Sequence, residues 1–442
     1  MMTRLAAQGA RRLLAGLFLA LALVSQAPAQ QPEEALARAE AQVNAGDYDT
    51  AISALQGMGT QAVREAELRR LWALSMAHVR QGRPRAAQPF LDRLVSLAPD
   101  AVTYRLELAN ALEAAGQPER ARYHYALARG AALPPPLATE VTRRIDRIDR
   151  ARVWEGNFRF AIVPESNPAK RTASDTIVIG DLPFKLKDSS RAQPARGIEL
   201  GLGLAALPRL GPDLRLRLGA AVDARLYEEG APDDVQTRAE LGLLHFGDRN
   251  RRLGAGLTLG KRWIDGEPYA NTRGVYLTWG RSIDARARSA LNLTLIRERT
   301  DYEAPGSESA TRSIAAASLS HTVTPRLQLS FGLQLERTES ALATEAGQGG
   351  AVTLGARYAF EGGLLAELTL ALGRHEREGP DRLLGIVRED RRQSLTLKLT
   401  HRDWAVAGFA PVLELGAERQ DSTNDLYSYE NHRALLGITR RF

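Results

Sequence analysis

From Leu214 to Leu226 every second residue is apolar (Leu214, Leu216, Leu218, Ala220, Val222, Ala224, Leu226), and Arg215, Arg217, Asp223 and Arg225 stand between them. This spacing puts leucine on one face of a strand and charge on the other. The pattern returns along the chain after Asn157. Leu327, Leu329, Phe331, Leu333 and Leu335 alternate with Gln328, Ser330, Gly332, Gln334 and Glu336, and Leu395, Leu397 and Leu399 alternate with Thr396, Lys398 and Thr400. About fourteen such segments, from 157–163 to 431–442, are bounded by turn residues. The segment 311–323 is the weakest, because IAAASLSH alternates poorly. One pattern suits two folds: a soluble sandwich with leucine inside, or a membrane barrel with leucine toward lipid and a wet interior.

Four features favour the barrel. Short connections (PRLGPD, GDRN, TPR, EGG) alternate with long polar ones (YEEGAPDD, DYEAPGSESAT, ESALATEAGQGG, EREGPDRLLGIVRED, DSTNDLYSYEN), as in barrels with periplasmic turns and exterior loops. The segments exceed the usual length of soluble strands and match what a tilted strand needs to cross a bilayer. Their second face carries Gly, Thr, Arg, Glu and Gln, which a wet lumen accepts without desolvation. Aromatics near strand ends, such as Trp263, Tyr269, Trp279, Tyr302, Trp404 and Phe409, suit interfacial girdles. An even strand count brings both barrel ends to one side.

Before the strands the period changes. Between about Glu33 and Trp154 the chain has helical spacing and repeats: GRPRAA from Gly82 matches GQPERA from Gly116 at an offset of 34, and GDYDTA from Gly46 precedes them. Gly82 and Gly116 suit helix ends, and Pro84 and Pro118 suit the first turn of the next helix. This arrangement resembles the tetratricopeptide repeat, whose stacked helix pairs make a concave surface for an extended partner. The charged segment from Glu140 to Arg152 reads as a connector or capping helix. At the start of the chain, Arg4, Arg11 and Arg12 precede an apolar run from Leu13 to Val24 and then Ala27-Pro28-Ala29. This reads as a secretory signal peptide over 1–29. The predicted organisation is therefore an α + β multidomain chain: signal peptide 1–29, periplasmic tetratricopeptide-like helical domain 30–154, and an antiparallel transmembrane β-barrel of about fourteen strands over 155–442, set in the outer membrane.

The chain has no cysteine, which removes disulfides, thiolate nucleophiles and a lipid-anchoring Cys. Its net charge of +7 is spread among carboxylates instead of gathered in a stripe, so nucleic acid is not an expected partner. The histidines are far apart and show no metal spacing, and neither Ser320-His321 nor His401 sits in a nucleophile motif. No cofactor and no catalysis are expected.

The junction FRFAIVPESNPAKRTASDTIVIGDLPFKL, from Phe158 to Leu186, carries Pro164, Glu165, Ser166 and Asn167, then Gly180, Pro183 and Phe184, and is followed by the Gly-rich GIELGLGLA. These marks resemble the start of the barrel in the surface lipoprotein assembly modifier (Slam) family, also described as type XI secretion. The chain's last residues, LLGITRRF, resemble the closing strand of Gram-negative outer-membrane barrels, with Phe442 as the aromatic the insertion machinery reads; Arg440 departs from that pattern. The resemblance implies a translocator that moves a lipoprotein, or a soluble haem- or metal-binding protein, from periplasm to cell surface, with periplasmic chaperones, the barrel assembly machinery and outer-membrane lipid as partners. Pro168 after Ser166-Asn167 and the short repeat region depart from the family.

Within that reading, Arg69, Trp72, Tyr104 and Arg105 are candidate cargo contacts on the helical surface, and Arg215, Arg217, Arg225, Arg357 and Glu367 are candidate lumen-lining residues. The long first loop from Pro164 to Arg196 is a candidate plug or gate. A polysaccharide exporter also joins such repeats to a barrel, but only 6% of this chain is aromatic. A diffusion porin would not need a helical partner-binding domain.

Overall fold

The computed structural model describes residues 27–179, 182–248, 251–304, 307–381 and 384–441. Residues 1–26 of the expected signal peptide, Gly180 of the junction motif and Phe442 lie outside them. The chain divides into two compact units after Ala121.

The first unit is helical. It contains α1 (Ala27–Ala45), α2 (Tyr48–Gly57), α3 (Arg64–Arg80), α4 (Pro84–Leu97), α5 (Val102–Ala114) and the start of α6 (Pro118–Ala128). Three joints between helices are built alike. After α3, Gly82 takes φ +71° and its N–H donates to Val79 O, while Arg83 N–H reaches back to His78 O at 2.9 Å. Gly116 repeats the geometry with Glu113 and Leu112, and Gly46 with Val43 and Gln42. This double bond, closed on a left-handed glycine, satisfies carbonyls that the helix end leaves open. The sequence offset is thus a repeat of joints. Small residues set the packing: Ala77, Ala87, Ala111 and Ala121 are buried together with Leu55, Leu74, Leu91, Leu94, Leu108 and Leu112.

The second unit begins with the rest of α6 and with α7 (Pro135–Ala151), and then forms strands. These are β1 (Trp154–Glu165), β2 (Thr176–Ile179), β3 (Leu182–Lys185), β4 (Ala195–Ala206), β5 (Leu214–Tyr227), β6 (Asp234–Phe246), β7 (Arg252–Ile264), β8 (Glu267–Ser282), β9 (Ser289–Tyr302), β10 (Ala310–Thr322), β11 (Leu327–Ser340), β12 (Gly347–Ala359), β13 (Leu364–Pro380), β14 (Val387–His401), β15 (Ala410–Ser422) and β16 (Tyr429–Arg441). β2 and β3 make a separate hairpin, while β1 and β4 to β16 close into a barrel in which each strand pairs with its antiparallel neighbours and β16 returns to β1. That gives the fourteen strands expected, and the weakly patterned β10 is a full member.

Two connections break the expected alternation. On the side of the long loops, β7 and β8 are joined by Asp265-Gly266 alone, both at positive φ, the residue pair that a tight hairpin turn favours. On the side of the short turns, residues 402–409 form a connection as long as several of the loops. The β2–β3 hairpin was not anticipated either.

The registers fix which face each residue takes. Leu218 lies opposite Leu241, Leu241 opposite Leu257, Leu277 opposite Leu295, and Phe331 between Leu319 and Leu354. These and their like on other strands are exposed on the outer wall, from Phe160 and Ile162 through Leu333 and Leu395 to Leu436 and Ile438. A continuous apolar belt of this size belongs against acyl chains. The intervening residues, including Arg217, Glu240, Glu336, Glu367 and Lys398, share the inner wall.

Candidate translocation path and helical surface

The inner wall is laced with ion pairs. Arg217 bonds to Glu155 at 2.5 Å and Glu240 at 2.8 Å, Arg262 to Asp234 at 2.9 Å and Arg433 to Glu199 at 2.8 Å, and Arg357 forms an ion pair with Glu367 at 3.0 Å. Arg159 pairs with Glu199, and Glu336 holds Arg312 on one side and His375 Nδ1 at 3.1 Å on the other. Because inward residues of adjacent strands sit directly opposite or diagonal to one another, alternating charge along one face builds these pairs automatically. The wall is polar without large stretches of one sign.

Of the lumen residues named from sequence, Arg217, Arg357, Glu367 and Arg225 face inward, Arg225 opposite Glu199 and Asp234. Arg215 shares that parity but does not line an open path. It is 2% exposed, and its guanidinium bonds to the carbonyls of Gly211 and Leu214 at 2.9 and 3.1 Å and to Arg150 O. A fork of five donors near a turn finds backbone acceptors before it finds water. Asp149, Arg252, Glu199, Arg433 and the Arg312–Glu336–His375 group were not singled out from sequence. The parity rule applied to every strand would have named those on strands.

The turn end of the barrel is covered by the segment before it. Asp149 of α7 is buried between Arg122 (2.5 Å) and Arg252 of β7. Arg150 pairs with Asp213 and donates to Gly247 O at 3.2 Å, and Arg129 donates to Ala287 O at 3.1 Å. Burial pushes the Arg129 guanidinium down to about 10 and holds the Asp146 carboxyl above its ordinary range. The expected connector helix is thus an anchor joined to strands and turns.

At the other end, the first residues of the long loop turn onto the inner wall. Lys170 Nζ reaches Glu418 at 2.8 Å and lies over the Tyr429 ring. Asn167, 2% exposed, takes the N–H of Arg171 and donates to Arg171 O at 2.7 Å. The loop's hairpin is different: Val178, Leu182 and Phe184 are exposed, and Pro183 with them.

In the helical unit, Trp72 and Tyr104 pack with ring centroids 5.3 Å apart and planes tilted by 44°, both half-buried, and burial raises the Tyr104 hydroxyl. Arg69 is bound to Glu40 at 2.9 Å and to Glu33, which hold its charge firmly. Arg105 is no surface contact. It is fully buried and donates to Pro99 O at 2.7 Å, tying the loop before α5 to the helix.

An outer wall of exposed leucine, an inner wall of paired charge and a closed ring of fourteen strands define an integral outer-membrane β-barrel. Residues 154–442 match the family model for the surface lipoprotein assembly modifier, and the chain belongs to that family. It is a translocator-type barrel of the outer membrane. No curated protein matches the chain by sequence. Among solved structures, similar barrels include the P. putida toluene transporter TodX (9% identity, TM-score 0.39, 71% of this chain and 94% of that one) and an anion-selective porin from Comamonas acidovorans (12%, 0.35, 65% and 98%). A bacterial polysaccharide outer membrane secretin is similar at 10% identity and a TM-score of 0.35, over 65% of this chain and 98% of that one. At these scores the likenesses bear on neither cargo nor mechanism.

Proposed function

We propose that the protein carries a lipid-modified protein, its family's cargo type, from the periplasm to the cell surface. The observation that carries this reading is the family match over the whole barrel, on a wall whose interior is polar along nearly every strand. In this reading the turn end and the helical unit face the periplasm, and the loops face outward. The helical unit, of tetratricopeptide type, holds the cargo in extended form, with Trp72, Tyr104 and Arg69 as contacts. Periplasmic chaperones deliver the cargo, and the barrel assembly machinery inserts the barrel. A paired-charge lumen suits an unfolded polypeptide, since pairs can exchange partners with passing side chains without leaving a charge desolvated. A soluble haem- or metal-binding protein is the alternative cargo.

The test is co-expression of a small lipoprotein encoded beside this gene, with and without the protein, with surface exposure read by protease accessibility on intact cells. Exposure that depends on the protein supports the reading. Equal exposure in both strains removes that lipoprotein as cargo. Dependence on a neighbouring glycan synthase, with no protein displayed, would replace the reading with polysaccharide export.

A further inference from the structure

The seam that closes the barrel, between β1 and β16, is built unlike the strand pairs beside it. The two strands pair rung by rung from Asn157 opposite Arg441 to Ile162 opposite Leu436. Pairing then lapses at Val163 and Leu435 and at Pro164 and Ala434, and resumes with Glu165 opposite Arg433 in the same register. The lapse is not a β-bulge. On its other edge β1 pairs with β4 without a break, through Val163 opposite Gly197 and Pro164 opposite Arg196. Pro164 has no N–H to give, and a proline inside a sheet removes a ladder bond on one side.

Past the lapse one backbone bond continues the ladder and side chains supply the other bonds. Ser166 N–H donates to His432 O at 2.9 Å and Ser166 Oγ accepts His432 N–H at 2.8 Å. Asn167 N–H donates to Asn431 Oδ1 at 2.9 Å, Asn167 Nδ2 to Glu430 O at 3.1 Å, and Asn431 Nδ2 to Glu165 Oε2 at 3.0 Å. Such a latch can let go one residue at a time, whereas a ladder opens cooperatively.

The surroundings of the lapse are also distinctive. Inside, Ala161, Val163, Val412 and Leu435 form a buried apolar patch, bordered by the ion pairs of Arg159, Glu199 and Arg433. At the same end of the seam lies a cavity of ≈ 890 Å³, lined by Pro164, Pro194 and Ala434 and by the charged Glu165, Arg196 and Arg433. Toward the turn end the strands close tightly, for a Cβ on Gly437 would meet Phe160 O at 2.1 Å. A buried apolar cluster in a polar wall, two rungs without pairing and a cavity therefore adjoin one another at the loop end of the seam.

We propose that the loop end of the β1–β16 seam is a lateral exit for the acyl chains of a lipidated cargo, opened by release of the Ser166–Asn167–Asn431 latch. The proposal rests on the translocator reading. A diacyl chain gains by leaving water for lipid with each methylene transferred, so it takes the apolar route through the wall while the polypeptide keeps to the polar lumen.

The chain's lack of cysteine allows a clean lock. Val163→Cys with Leu435→Cys joins a lapsed rung and keeps Pro164; Leu241→Cys with Leu257→Cys joins an ordinary one between β6 and β7. Cargo identified by the accessibility assay is displayed in its lipidated form and as the same polypeptide behind a non-lipidated signal. Oxidation of the seam pair is expected to stop display of the lipidated form, reversibly with reductant, to spare the non-lipidated form, and to have no effect at the control pair. Normal display of lipidated cargo through an oxidised seam overturns the exit while leaving translocation intact; loss of both forms equally overturns it too, since the lock would then act on the lumen. If display of no protein depends on this chain, the translocator reading fails and takes the exit with it. A readout free of cargo is amide exchange of the folded barrel in nanodiscs. Residues 433–436 are expected to exchange at least about fivefold faster than residues 239–243, the effect of about one missing backbone bond, and Pro164→Ala to erase the difference. Equal exchange in the parent protein sinks the proposal.

Discussion

Replacing Leu333 by Arg and, separately, its neighbour Gln334 by Arg puts the same charge on the two faces of β11. Leu333 lies on the outer wall between Ala317 and Val352, while Gln334 faces inward between Ala316 and Ala351 and donates to Glu336 at 3.3 Å. The outward apolar run of this strand goes from Leu327 to Leu335. At about 3.4 Å per residue it covers about 27 Å along the strand, or about 20 Å of membrane depth at a tilt of about 40°. Leu333 is one outward position from its middle. An arginine there should cost about 2–4 kcal/mol, a change of roughly 30- to 700-fold in the folding equilibrium. Gln334→Arg, beside Glu336 in a wet interior, should cost less than about 1 kcal/mol. The assay is urea-dependent folding into lipid vesicles, read from the gel mobility of unheated folded protein. Equal costs, or a larger cost for Gln334→Arg, would refute the assignment of faces.

Other residues give independent tests. Asp149→Ala strips the carboxylate from between Arg122 and Arg252 and should cost about 3–5 kcal/mol, seen as protease cleavage between residues 122 and 153 at concentrations that leave the parent intact; an unchanged digest would mean the anchor bears no load. Gly437→Ala forces a contact on Phe160 O and should sharply lower the yield of closed, heat-modifiable barrel, whereas Gly57→Ala, with open space around it, should not. Burial alone would raise the Glu67 carboxyl, but the Arg70 guanidinium and the Gln61 N–H outweigh it and hold it below its ordinary value of 4.5. Its stabilisation is therefore present above that value and fades as pH falls through the lower, folded-state value. Glu67→Gln should flatten the acid limb of the loss of helical ellipticity; an unchanged limb would assign that loss to other carboxylates.

Much of this was legible because the two halves use different periods. Strict alternation such as that of Leu327 to Glu336 fixes a face for every residue once one face is known, and recurring Gly-x-Pro joints located the helix pairs. What escaped depends on partners distant in sequence. Arg215 and Arg217 read alike in the sequence, yet one reaches turn carbonyls and the other reaches Glu155 and Glu240. Arg105 reads as a surface cation, but the fold carries the loop at Pro99 over it. The Asp265-Gly266 turn was hidden because Glu267 to Arg273, polar and containing Pro268, reads as loop although the fold pairs it as the start of β8. The Pro164–Asn167 group was noticed as a motif, but its use became visible only when the end of the chain was paired beside it.

Single cysteines placed in turn at positions 327–340 of the folded barrel, in lipid bilayers, test the account most directly, because every label then reports one known side chain. The account predicts a period of two: even positions react with a water-borne maleimide, and odd positions from 327 to 335 resist it but accept a lipid-soluble reagent. Uniform reactivity, or the opposite parity, would contradict it.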